Sequence, residues 1–156
     1  MIFLNAQQQP VEKPAGEPVE WRVGLYPLVF SADDKVLMIQ SNFSGKYEFP
    51  GGKMELQESI AEGLARECLE ETGYKIKLVS QTPIYSGEQY FFGNITKKFY
   101  HAIHLFYEAE LIEEKSSASL IDPDGETAKV DRIALDQLTE ANCQAIHWPV
   151  IQLLRD

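Results

Sequence analysis

The order of elements along this chain predicts an α/β (α+β) fold, a mixed β-sheet sandwiched between helices. Three features carry that expectation. Apolar, β-rich runs stand on both sides of one amphipathic stretch, Glu58 to Thr72, whose apolar residues recur at helical spacing. A second helical pattern, WPVIQLLRD, closes the chain. No internal repeat or second domain interrupts the 156 residues, a length that suits one domain with a real core.

The first twenty residues are polar, carry three prolines and show no sustained periodicity, so a loose arm or an added edge segment is expected there. From Trp21 the run WRVGLYPLVF reads as a strand, with Pro27 arguing for an edge position or a bulge. The turn-like SADDK separates it from a second strand, VLMIQ. SNFSGKYEFPGG is a loop. In the central helix Ile60, Leu64 and Cys68 follow at four-residue steps, with Ala61, Ala65 and Leu69 beside them, and Gly73 ends it. KIKLVSQTPIYSG, EQYFFG and KKFYHAIHLFYEAELI alternate as strands do, and IEEKSSASLIDPDGETAK reads as a long polar loop. RIALDQL suggests a short helical turn. Pro149 is tolerated in the first turn of the terminal helix. The core domain is expected over residues 21–156.

Composition narrows the classes of function. The formal net charge of −10 argues against a nucleic-acid polymer or an anionic membrane as partner. There is no run of eighteen apolar residues, and the start MIFLNAQQQP lacks a basic, then apolar, secretory pattern. Cys68 and Cys143 are too few for a disulfide framework, and Cys68 reads as a small buried thiol. A reducing cytoplasm is the expected compartment.

One stretch conflicts with ordinary surface design. GGKMELQESIAEGLARECLEETGY holds six glutamates between Glu55 and Glu71. On a helix Glu67, Glu70 and Glu71 lean over one patch, where like charges repel. Hard carboxylate oxygens suit magnesium or manganese, and a bound divalent ion would reverse that repulsion. The competing reading is a solvated acidic face paired through Glu62, Arg66 and Glu70.

The flanking residues decide between them. Gly52, five residues, Glu58, seven residues, then Arg66-Glu67-Cys68-Leu69-Glu70-Glu71-Thr72-Gly73-Tyr74 resembles the signature box of the Nudix (MutT-like) hydrolases. Every polar and glycine position matches over Gly52–Tyr74. Cys68 and Tyr74 stand where the family usually has an aliphatic residue, and Gln57 where relatives often have glycine. The resemblance extends more loosely from about Trp21 to the C-terminus.

The resemblance implies a loop–helix–loop metal platform against a mixed sheet. It implies hydrolysis of a nucleoside diphosphate linked to another group, with Mg2+ as cofactor and Mn2+ as substitute. By position Glu67, Glu70 and Glu71 are the ligand candidates, the Gly51 and Gly52 carbonyls are further contacts, Glu58 either supports the site or takes part in the metal network, and Arg66 orients glutamates by ion pairing. Glu126 is either an extra ligand or base, or a solvated loop residue beside Asp124. Tyr90 either stacks on a base or is simply a strand residue. Arg22 is a candidate phosphate contact. His101 and His104 read as packing or surface residues. The expected partner is a small-molecule nucleotide, with a homodimer left open. A Nudix-fold module that binds nucleotides without turnover is the alternative, and the intact glutamate set favours the enzyme.

Overall fold

The computed structural model describes residues 1–113, 125 and 127–156. Two sheets and two α-helices make up the described residues, and the longest strand organises them. Strand β9 (Phe99–Glu113) pairs in parallel with β3 (Val19–Val29) along one edge. Its other edge is shared, β8 (Tyr85–Phe92) running antiparallel along the first half and β7 (Lys75–Leu78) along the second. The two-residue strand β6 (Gly52–Lys53) closes the far side of β3 opposite Gly24 and Leu25. Beyond β8 come β1 (Phe3–Leu4) and β2 (Pro10–Val11), so the N-terminal residues extend the sheet to seven strands.

A second, three-stranded sheet lies apart from the first. Its order is β10 (Thr127–Ala134), β4 (Lys35–Ser41), β5 (Tyr47–Glu48), all antiparallel. The expected mixed sheet is the seven-stranded one, and the turn at Ser31–Lys35 carries the chain out of β3 into the additional antiparallel layer. Pro27 pairs opposite Tyr107 without a register shift, and β6 leaves the other side of β3 uncovered there. A residue with no N–H to donate is accommodated where one flank has no ladder.

The helix α1 (Ile60–Thr72) forms for local reasons as well as tertiary ones. Ser59 accepts from the Glu62 N–H and Glu62 reaches back to the Ser59 N–H, a reciprocal cap worth about 1 kcal/mol. Gly73, left-handed at φ 76°, donates to the Leu69 carbonyl and ends it. Leu64 and Cys68 are fully buried against Leu25, Val29, Ile76 and Tyr107 of the large sheet. Leu69, placed beside that stripe by its spacing, is exposed. Burial pushes the Cys68 thiol up to about 11, so it stays protonated.

The opposite face of the large sheet packs on the small sheet and on α2 (Trp148–Arg155). Leu28, Phe106, Met38, Phe49, Leu138 and Ile151 form that second core without exposed surface. Pro149 sits in the first turn of α2. RIALDQL divides between two elements: β10 runs to Ala134, and Leu135–Gln137 make the expected short helical turn, of 3-10 type. The polar residues of TAKVDR hide the alternation, while seven pairings with β4 supply the hydrogen bonds that hold it extended. Pro83 likewise splits the expected KIKLVSQTPIYSG strand into β7 and the start of β8. The polar stretch before β10 falls largely outside the described residues.

Gly51 fixes the entry to the platform. Its φ of 146° is closed to other residues, and a Cβ would stand 2.1 Å from the Leu25 carbonyl oxygen. Gly51→Ala should therefore lower the thermal unfolding midpoint much further than Gly45→Ala. At Gly45 a Cβ meets open space and only the left-handed backbone costs about 1 kcal/mol. Equal shifts in a melting experiment would contradict this account.

Candidate active site

The acidic helix face is organised around a single guanidinium. Arg66 Nε and Nη2 donate to the two oxygens of Glu58 at 2.9 and 2.7 Å, a bidentate pair. Nη1 donates to Glu67 Oε1 at 2.8 Å and, more weakly, to Glu70 Oε2 at 3.4 Å. Nη2 also donates to the Lys53 carbonyl at 3.0 Å, tying the helix to β6. Of the solvated pairing of Glu62, Arg66 and Glu70 only the weak Arg66–Glu70 contact remains: Glu62 is spent on the helix cap, and Arg66 makes its shorter bonds to Glu58 and Glu67. Glu58 lies one residue before the N-cap, where it also accepts from the Glu55 N–H at 2.7 Å.

The remaining carboxylates meet the main chain of the glycine pair. Glu71 is almost fully buried and accepts the Gly51 N–H at 2.7 Å. Glu67 lies so close to Gly52 that a Cβ there would stand 2.9 Å from its Oε2. Gly52 must therefore be small for the carboxylate to reach its place. The ionisation of the pair divides by environment. The Arg66 hydrogen bonds hold the Glu58 carboxyl below the usual range. Burial pushes Glu67 up, against the lowering effect of Arg66. The same partners hold Arg66 firmly protonated.

Arg22 and Tyr26, four apart on β3, point to the face that carries a cavity of about 180 Å3 beside this platform. Arg22 lies within electrostatic reach of Glu67, and Tyr26 of Glu48, Glu67 and Glu71. Burial keeps the Tyr26 hydroxyl protonated, and it shares a 3.1 Å hydrogen bond with His104 Nδ1. His104 Nε2 is buried with no partner among the described residues. Sequence reasoning treated His104 as packing. The parallel register, Gly24 opposite His104, puts it on the Arg22 face, a fact hidden until β3 and β9 are aligned.

Tyr90 is not brought to this place. Its neighbours Gln89 and Phe91 line the cavity, so the two-residue alternation of β8 sends Tyr90 to the other face. There it stacks on His101 at 4.3 Å, and His101 stacks on exposed Trp21. The expectation that Tyr90 shares a site with Arg22 is corrected by that alternation. Glu126 lies outside the described residues.

Carboxylate and carbonyl oxygens with no sulfur or imidazole are the donor set of a hard divalent cation, and Glu67 and Glu71 reach adjacent residues of one segment. Among the described residues no three acidic, histidine or cysteine side chains converge on one point. The face holds its carboxylates side by side, with Arg66 between Glu58 and Glu67.

A family model described as the NUDIX domain matches residues 21–154. The chain belongs to the NUDIX family. Hydrolases of this family act on nucleoside diphosphate derivatives and generally use divalent metal ions. This NUDIX domain is 36% identical over 85 residues to a MutT-like protein of Streptomyces ambofaciens, covering 54% of this chain and 52% of that one. It is 35% identical over 75 residues to an ADP-ribose pyrophosphatase of Methanocaldococcus jannaschii, covering 43% and 44%. The chain spans about half the length of the curated relatives it matches. Its fold is that of a NUDIX hydrolase from Nitrosomonas europaea, with TM-score 0.60 at 22% identity over 86% of this chain and 85% of that one. No helix among the described residues is long and apolar enough to cross a membrane.

The buried histidines of this NUDIX domain set a pH dependence of stability. Burial holds His104 down at about 4 from 6.5, with Arg22 adding to the effect, and burial holds His147 well below 6.5. Between pH 6.5 and about 4 the unfolded chain therefore binds protons that the folded one refuses, and stability falls as pH falls. The full His104 contribution is about 3 kcal/mol. Denaturant unfolding across that window should show this slope, and His104→Asn should reduce it to the part that His147 supplies. An unchanged slope in the variant would exclude His104 as its source.

Proposed function

We propose that this chain is a divalent-cation-dependent pyrophosphohydrolase acting on a nucleoside diphosphate linked to another group. The substrate would be a nucleoside triphosphate, a dinucleoside polyphosphate or a nucleotide sugar. The observation that carries this reading is the joint placement of Glu67 and Glu71 on the Gly51–Gly52 segment, beside Arg22 and a cavity. Glu67, Glu70 and Glu71, with the Gly51 and Gly52 carbonyls, would hold the cation, with Mg2+ first and Mn2+ as substitute. When bound, that cation would neutralise phosphate charge and lower the pKa of attacking water.

The chain's own residues do the rest. Arg66 holds Glu58, Glu67 and the Lys53 carbonyl in one array, which limits how far the carboxylates can move apart. A neighbouring carboxylate would take the proton from the attacking water. Arg22 offers a positive charge to the phosphates, and the cavity beside it takes the rest of the ligand. An ADP-ribose pyrophosphatase among the relatives supports a diphosphate-linked substrate, and the family match supports hydrolysis over binding alone.

Turnover of a nucleotide panel should appear with Mg2+ and vanish in excess chelator; full activity without metal would sink the proposal. Hydrolysis in oxygen-18 water should place one label on a phosphate product and leave the glycosidic bond intact. Nucleotide binding with no turnover under any divalent ion would instead establish the binding-module reading.

Glu67→Gln should cut kcat by orders of magnitude while the melting temperature of the metal-free protein holds or rises. The sign follows from the raised folded pKa. The ionised Glu67 costs stability near neutral pH, and that cost is relieved as pH falls through its folded value. Loss of activity together with unfolding would make Glu67 a structural residue.

A further inference from the structure

The N-terminal turn outside the family match forms one wall of the cavity. Asn5, Ala6 and Gln8 line it together with Arg22, Tyr26 and His104. The turn is built firmly. Phe3 is buried edge-on against Tyr90 and Phe99, and Leu4 pairs in parallel with Phe91. Asn5 Oδ1 accepts the N–H groups of Gln7 and Gln9, closing the connection between β1 and β2. Gln144 then clamps it, donating to the Ala6 carbonyl at 3.3 Å and to Ser44 Oγ at 2.8 Å.

Within this turn Gln8 has φ 61°, the left-handed conformation that glycine adopts at no steric cost. A glutamine there carries a backbone penalty, so its side chain is the feature to explain. Its Nε2 approaches Gln144 Oε1 at only 3.5 Å, a contact too long to account for the residue. Two further polar groups of the cavity are open: buried His104 Nε2, and the Gln89 carboxamide, which has no partner among the described residues.

We infer that Gln8 is a specificity-determining residue, reading the non-phosphate ring of the substrate from the N-terminal wall of the cavity. This rests on the hydrolase reading above. The chemistry of the lining selects a neutral heterocycle over a further phosphate. Arg22, the one cation of the lining, lies within electrostatic reach of Glu67 and serves the phosphates. The rest of the lining offers the anion Glu48, a neutral His104, and the carboxamides of Gln8 and Gln89, each with a donor and an acceptor. A nucleobase with a paired N–H and C=O edge matches that set. At about 180 Å3 the cavity is smaller than the roughly 300–1,000 Å3 that encloses a drug-sized ligand, so it takes a ring and leaves the diphosphate to the glutamate platform.

The test is Gln8→Gly, which removes the side chain and relaxes the backbone at once. Its melting temperature should hold or rise. KM for the preferred nucleotide should rise about three- to tenfold with kcat little changed, as loss of one hydrogen bond made in ground and transition states requires. The preference among bases should narrow. Gln9→Ala, in the same turn but outside the cavity, should leave KM alone. Equal KM shifts in both variants, or none in Gln8→Gly across the panel, would overturn the assignment while leaving the hydrolase reading intact. Absence of metal-dependent turnover in the unaltered protein would overturn both. A nucleoside titration of the metal-free protein supplies an activity-independent readout. The side-chain amide NMR signals of Gln8 and Gln89 should shift with one base class, and shifts confined to other residues would count against the proposal.

Discussion

The charge of Arg66 is what permits the glutamate face to exist in folded form. Glu58 and Glu67 are both largely shielded from solvent, and each oxygen facing inward would be costly without a donor. One planar guanidinium satisfies both oxygens of Glu58 and one of Glu67, and still reaches the Lys53 carbonyl on β6. A lysine has the charge but not the fork. The array therefore couples three pieces of chain that the sheet alone would leave independent: the segment before the helix, the helix itself, and the short strand carrying Gly52.

That coupling explains why the glycines matter as much as the acids. Gly51 packs its backbone onto the Leu25 carbonyl, and Gly52 leaves room for the Glu67 carboxylate. Leu25 in turn packs on Leu64 in the core beneath α1. A residue added at either glycine would move the same contacts that position the acids. Gly63 extends the pattern, since a Cβ there would press on both Leu25 and Glu58. Core packing and charge placement are thus fixed by the same few close approaches.

Much of this was legible in the sequence, and unevenly. The spacing of Leu64 and Cys68, the stop at Gly73 and the crowding of Glu67, Glu70 and Glu71 are local signals, and local signals survive folding. Arg66 was legible as an ion-pairing residue because its neighbours are close in sequence, yet its strongest partner, Glu58, is eight residues away and outside the helix. The cavity was not legible. Gln8, Gln144, Tyr26 and His104 meet only once β1 joins β8 and β3 aligns with β9. Tyr90 failed for a simpler reason: an aromatic in a strand points to one of two faces, and parity alone chose the face of Trp21 and His101.

Strand β3 shows how one segment can serve both purposes. Its odd residues are exposed at Trp21 and Val23 and pass into the core under α1 at Leu25 and Val29. Its even residues Arg22 and Tyr26 face the cavity, and Gly24 between them has no side chain because His104 and the Tyr26 ring occupy the space within 3 Å of where a Cβ would be. A one-residue slip would exchange these two sets, turning Arg22 to the exposed face of Trp21 and Val23 and moving Tyr26 out of the cavity. The fully parallel eleven-residue register with β9 forbids that slip. The core under α1 therefore determines which side chains the cavity receives, and the N-terminal turn, attached through β8 to the same β9, closes a wall whose chemistry is set by that register.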